Sequence, residues 1–159
     1  MKRRGQDPLA DPEALIRRVY SYVAYVVGDG ADADDITSAT MERALRYRGS
    51  YDARKGTPIA WLLGIARSRI AEHPRTPGIE TLDDDADIAD AGDSDLGAVD
   101  RLAVRAAVAS LGPRDRELVA LRFGADLTAR QIGSLLDMRA NTVEVALHRA
   151  LARLRSHLT

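Results

Sequence analysis

The stretch LTARQIGSLLDMRANTVEVALHRAL, residues 127–151, decides the fold. Its apolar residues recur at helical spacing on both sides of a polar break at Asp137 to Arg139. Thr128 followed by Gln131 is a capping-box pattern, in which side chain and backbone amide satisfy each other at a helix start. Ile132, Leu135 and Leu136 supply the inner face of a first helix. Val143, Leu147, Ala150, Leu151, Leu154 and Leu158 supply that of a second, within about 100° of arc on a helical wheel. The layout is a helix-turn-helix or an ordinary antiparallel helix pair. The outer face of the second helix carries Thr142, Val145, Arg149 and Ala152, with Arg153 beside it. Docked in a major groove, N-terminal residues first, Arg149 would meet a phosphate or guanine O6/N7. Arg130, Arg139 and Thr142 would hold phosphates. An ordinary helix pair would leave the same arginines as a solvated face.

Glu144 is an odd residue on a helix that meets a polyanion. With Asn141 as N-cap, Glu144 stands at the third helical position. There its carboxylate returns a hydrogen bond to the cap amide and sits well in the helix dipole. The rarer use is to accept from cytosine N4.

Working outward, Pro113 opens a helix in GPRDRELVALRF, with Leu118, Val119 and Leu121 inward, and VDRLAVRAAVASL reads as another. Three helices are expected further upstream. DPEALIRRVYSYVAYVVG has Asp11 as N-cap, Pro12 at the first position and Gly28 past the end. Its inner stripe is Ile16, Val19, Val23, Val26 and Val27. DADDITSATMERALRYRG follows with Ile36, Thr40, Ala44 and Tyr47 on one stripe. TPIAWLLGIARSRIAEHP has Thr57 as N-cap, Pro58 at the first position, and Ile59, Leu62, Leu63, Ala66 and Ile70 inward, with Pro74 as its stop. No run alternates long enough for a sheet. The expected fold is all-α: two small helical domains, residues 11–74 and 99–159, after an N-terminal tail of residues 1–10.

Between them, residues 75–98 carry one Arg against eight carboxylates, a net charge of −7. The flanking blocks are mildly basic, +2 over residues 1–74 and +4 over 99–159, inside a total of −1. The middle segment is too poor in apolar residues to offset chain entropy. It is expected to be a flexible acidic linker that leaves the blocks free to move.

The 159 residues include no cysteine, which removes disulfides and thiolate metal sites. His73, His148 and His157 are scattered, and no phosphate loop, carboxylate pair or metal-ligand cluster accompanies them. No catalytic residue, metal or cofactor is expected. No apolar run approaches the roughly 18 residues of a membrane span, and the basic start MKRRGQDPLADP lacks the apolar core of a secretory signal. A cytoplasmic protein without membrane insertion is expected.

Together, GDGADADDITSATMERALRY, GTPIAWLLGIARSRIAEH and LGPRDRELVALRF, followed by LTARQIGSLLDMRANTVEVALHRALARLR, resemble the bacterial RNA polymerase sigma factors of the extracytoplasmic-function group of the sigma-70 family. The resemblance covers about residues 11–74, as sigma region 2, and 99–159, as sigma region 4. It implies a protein that binds core polymerase at the largest-subunit clamp and the flap, recognises −10 and −35 promoter elements, and helps initiate transcription. An anti-sigma factor is an implied further partner. By position, Asp35, Ile36, Ser38, Ala39, Glu42 and Arg43 would meet the polymerase clamp. Tyr51, Asp52, Arg54, Lys55 and Thr57 form the loop that would capture a −10 base, with Trp61, Arg67 and Arg69 on the next helix. Trp61 itself reads as a packing residue. Arg130, Arg139, Asn141, Thr142, Val145, His148 and Arg149 fall where the family reads the −35 element. The acidic segment would thread the polymerase channel or act as a solvated tether.

The chain departs from the family pattern in four places. Ser38-Ala39 replaces Gln-Glu, Asp137 replaces a turn glycine, Glu144 and Ala146 replace basic residues, and Pro74 cuts short a basic helix end. Fewer cations on the recognition helix predict a shallower salt dependence. A helix-turn-helix regulator acting without polymerase would account for residues 113–159 but not for the first block. A protein-interaction bundle is the third reading.

Overall fold

A computed structural model describes residues 7–73 and 98–158, with side-chain surroundings in the second segment from Ala103 onward. The elements are α1 (Pro12–Val27), α2 (Ala31–Arg46), a 3-10 turn (Arg48–Ser50), α3 (Pro58–Glu72), α4 (Ala98–Ser110), α5 (Pro113–Val119), a π turn (Ala120–Gly124), α6 (Ala129–Leu136) and α7 (Ala140–Leu158). No strand occurs among the described residues. The fold is all-α with two helical regions, as expected. The 75–98 linker lies outside the described residues except for Ala98, which opens α4.

Local chemistry sets most helix starts. The Asp11 side chain accepts from Ala14 N, the Thr57 side chain from Ala60 N, and Thr128 with Gln131 closes the full capping box. Pro58 and Pro113 occupy first-turn positions where a missing N–H loses nothing. Gly28 ends α1 at φ 89°, a backbone that side chains resist. In α3 every residue expected inside is buried: Ile59, Leu62, Leu63, Ala66 and Ile70.

The expected α1 stripe needs correction. Ile16 is exposed, and Tyr22 is buried between Val19 and Val23. Tyr47 is also exposed, because α2 ends before it. The end of the expected tail is built into the fold. Leu9 is buried, its amide donates to the Asp7 side chain at 3.0 Å, and Arg48 pairs with Asp7 at 3.8 Å.

The larger correction concerns the two blocks, which are packed together. Val19, Tyr22, Val23, Ile36, Leu62 and Leu63 belong to one buried cluster with Leu118, Leu121, Leu127 and Ile132. Each such side chain contributes about 1.5–3 kcal/mol when fully buried, so closing the blocks recovers apolar area that neither covers alone. The π turn lies against α1, and Gly124 makes that approach possible. A Cβ there would stand 3.0 Å from Ser21 O and from Tyr22 Cα. Polar ties cross the same seam. Arg18 Nε donates to Ala125 O at 2.8 Å, Arg116 to Val26 O at 3.3 Å, and Arg105 of α4 pairs with Asp29 after α1.

Candidate nucleic-acid interface

α6 and α7 form the helix-turn-helix. Asp137 takes the left-handed conformation, φ 57° and ψ 51°, and Met138 N donates back to Gly133 O at 2.8 Å. The close return explains Gly133, where a Cβ would sit 2.4 Å from Met138 O. It also moves the start of the next helix. Val143 N donates to Arg139 O at 3.0 Å, so α7 begins at Ala140 and Arg139 holds the cap position. Asn141 is therefore inside the first turn, and Glu144 lies too far along to serve as a capping carboxylate. The left-handed Asp137 turns the chain earlier than a cap at Asn141 would need.

The rest of the −35 set converges. Arg130, Arg139, Asn141, Thr142, His148 and Arg149 are exposed, and Val145 is 45% exposed. Val143, Leu147 and Ala150 are buried beneath them. Among the described residues, Arg130, Arg139 and Arg149 enter no ion pair. Arg153, one turn on, is already held by Asp115 at 2.5 Å. The open surface thus combines unpaired guanidiniums with the free amides of a helix N-terminus, which together favour phosphate.

The loop from Tyr51 to Thr57 is ordered by its own contacts. Tyr51 OH donates to Gly56 O at 2.9 Å, and its ring lies against Trp61 at 5.5 Å between centroids, tilted 60°. Trp61 packs on the core cluster, in line with a packing role. The Asp52 carboxylate accepts from Arg54 N, Nε and NH2, and the Arg54 side chain holds that carboxyl below its ordinary value. Lys55 and Thr57 are exposed beside it. On α3, Arg67 Nε donates to Glu117 Oε1 at 2.5 Å, and Arg69 meets Glu72 at 3.6 Å.

On α2, Asp35, Ser38, Glu42 and Arg43 are exposed and Ala39 is half-buried. Ile36 does not belong with them. It is 1% exposed and packs inward, so it holds the helix in place and cannot meet a partner. Arg43 lies over the Tyr47 ring at 5.8 Å.

The sequence reading missed Tyr22, Glu117 and Gly124. Tyr22 is an aromatic among valines, and its hydroxyl reaches Glu117 Oε1 at 3.4 Å. Burial pushes this phenol up, with the Glu117 charge adding to the effect. Among the described residues, no group of three or more His, Cys, Asp or Glu could hold a metal, and no helix is long and apolar enough to cross a membrane.

Comparison with known proteins agrees with this architecture. Residues 13–76 match the family model for sigma-70 region 2, and residues 101–154 match that for sigma-70 region 4. The chain is 31% identical over 143 residues to the ECF RNA polymerase sigma factor BldN of Streptomyces coelicolor, covering 86% of this chain and 54% of that protein, about half its length. It is 32% identical over 136 residues to the RNA polymerase sigma-E factor of Streptomyces antibioticus, covering 84% of this chain and 74% of the relative. The fold is shared with a solved sigma factor, RpoE of Bartonella quintana, crystallised with the anti-sigma factor NepR. The TM-score is 0.68 at 15% identity, over 91% of each chain. The chain belongs to the sigma-70 family of RNA polymerase sigma factors, and within it to the extracytoplasmic-function group. Proteins of this family act with RNA polymerase in promoter-specific transcription initiation.

Proposed function

We propose that this chain directs core RNA polymerase to promoters through two polymerase-facing and two DNA-facing surfaces and has no catalytic step of its own. Residues 11–74 act as region 2 and residues 99–159 as region 4. The exposed face of α2, with Asp35, Ser38, Ala39, Glu42 and Arg43, meets the polymerase clamp, and region 4 meets the flap. Tyr51, Asp52, Arg54, Lys55 and Thr57 receive the −10 strand. Arg67 and Arg69 follow its backbone, with Trp61 supporting the loop from beneath. α7 enters the major groove of the −35 element. Arg149 and Val145 face base edges, and Arg130, Arg139, Asn141, Thr142 and His148 hold the backbone. Val145 brings an apolar surface suited to a thymine methyl. The protein works in the cytoplasm. An anti-sigma factor, such as the one bound to the Bartonella neighbour, is its expected regulator.

The observation that carries this reading is the exposed outer face of α6 and α7, where Arg130 and Arg139 near the start of α7 and Arg149 midway along it are all unpaired. Opening a duplex costs a few kcal/mol per base, which is recovered by holding unstacked bases and their phosphates. The test is co-purification with core polymerase followed by run-off transcription on the DNA upstream of the protein's own gene. Core binding and a discrete transcript are expected. Tight binding to duplex DNA without polymerase, and no transcript with it, would instead identify a free-standing regulator. Asp35→Lys should lower core affinity while the fold persists; unchanged affinity would remove Asp35 from the clamp contact.

A further inference from the structure

The geometry points to Glu144 as a specificity-determining residue of the −35 surface, whose carboxylate accepts from the N4 amino group of a cytosine in the major groove and rejects guanine and thymine at that position. This inference rests on the −35 role proposed above for α7.

The structure removes the local use for this side chain. Val143 N donates to Arg139 O at 3.0 Å, so Arg139 holds the cap position and α7 begins at Ala140. The third helical position, from which a side chain returns to the cap amide, is then Thr142. Glu144 stands two residues beyond it. It is exposed, and among the described residues its carboxylate enters no ion pair and no hydrogen bond. No contact within the fold accounts for a negative charge here.

Its place on the helix supplies the alternative. With 3.6 residues per turn, Glu144 stands about 40° from His148 and about 60° from Asn141 on the wheel. The three share one flank of the outer face, and Thr142 with Arg149 forms the other. Helical side chains lean toward the N-terminus of their helix, and that end of α7 enters the groove first. The lean carries the Glu144 carboxylate over the first turn, toward base edges.

Phosphates repel a carboxylate, so it is tolerated in the groove only where a base gives it a donor. The major groove offers two donors, cytosine N4 and adenine N6. An ionised carboxylate is an acceptor only. Adenine N6 lies between two acceptors, its own N7 and the O4 of the paired thymine, and is better matched by an amide that brings a donor to N7. Cytosine N4 has an acceptor on one side only, the O6 of its paired guanine. Guanine and thymine present no donor at their own edges. Cytosine is therefore preferred, and Glu144 acts as much by rejecting other bases as by attracting this one.

The experiment uses the full chain assembled with core polymerase. It is offered the DNA upstream of the protein's own gene with the bases around −35 randomised, and bound duplexes are sequenced. The parent chain should favour cytosine over guanine and thymine by about tenfold at one position of one strand. Glu144→Gln keeps the shape and adds a donor. It should move that position to adenine and leave the others as they were. Glu144→Ala should flatten the same position and strengthen binding to sequences that lack cytosine there. Coincident profiles for the parent and both variants, even with uniformly tighter binding in the variants, would make Glu144 a solvated charge and overturn the inference. A change spread evenly over all positions would overturn it as well. In both of those outcomes the parent still selects a −35 sequence, so the major-groove role of α7 stands. A parent with no base preference around −35 would instead overturn that role, and the Glu144 assignment with it.

Discussion

The two sides of this molecule proposed to face DNA use the same residue type in opposite states. At the −35 side, Arg130 and Arg139 near the start of α7 and Arg149 midway along it stand unpaired. At the −10 side, each candidate arginine already has a carboxylate: Arg54 with Asp52, Arg67 with Glu117 and Arg69 with Glu72. Composition gives no hint of this, because both blocks are mildly basic. Pairing decides which cations are available to phosphate. An exposed arginine that keeps its water loses little on meeting DNA. One held by a partly buried carboxylate must first give up that partner.

The largest effect is expected where the open side depends on a single backbone approach. Gly133→Val places side-chain atoms against Met138 O and should cost about 3 kcal/mol, measured by thermal denaturation. A small loss would mean that the turn relaxes easily and that its geometry is not fixed by Gly133. Next, Arg149→Ala should weaken binding to matched −35 duplex by about 1–3 kcal/mol, whereas Arg67→Ala in the free chain should change single-strand binding by less than about twofold. A large Arg67 effect without polymerase would erase the contrast between the two sides. Third, with Arg130 and Arg139 on phosphates, the log–log salt slope of duplex binding should be about −2, and Arg130→Ala should reduce its magnitude by about one. A much steeper slope would place further cations on the DNA.

The smallest effect concerns Asp29. Burial lifts this carboxyl above its ordinary value, against the opposing pull of Arg105, and Asp34 adds to the lift. The folded chain therefore keeps a proton that the unfolded chain has released. That contribution is complete below the ordinary carboxylate range and is lost as pH rises through the raised value. Asp29→Asn should flatten the dependence of melting temperature on pH across that window. Parallel curves for the two proteins would assign the slope to other groups.

What the sequence made legible was local. The α3 stripe, the proline starts and the Thr128–Gln131 capping box follow from residues a few positions apart. The misplacements have two physical sources. Side-chain preference favours Asn141 as a cap, but the left-handed Asp137 fixes the start of α7 earlier. The inward placing of Ile16 and the clamp role of Ile36 fail, although Ile36 does lie on the buried stripe, and Tyr22 escapes notice, because burial depends on which surfaces meet across the molecule. Helical spacing names a face without naming its neighbour. The Arg67–Glu117 pair spans 50 residues, and no period or motif links its members. Surface arginines along α6 and α7 are easier to find, since an exposed face needs no partner within the chain.

Tyr22 gives the seam an optical consequence. Burial first, and the Glu117 charge second, hold its phenol protonated into alkali, where an exposed tyrosine has begun to ionise. The closed molecule gains from that retained proton at every pH below the ordinary phenol range, and forfeits the gain as pH rises beyond it. Alkali therefore pries the halves apart, and the event is coloured. Of the five tyrosines, Tyr22 and Tyr25 both lie against the second block, and burial raises both phenols, so these two turn to phenolate as the seam opens. Near-ultraviolet absorbance then follows the parting of the two halves in the native sequence, with no label attached.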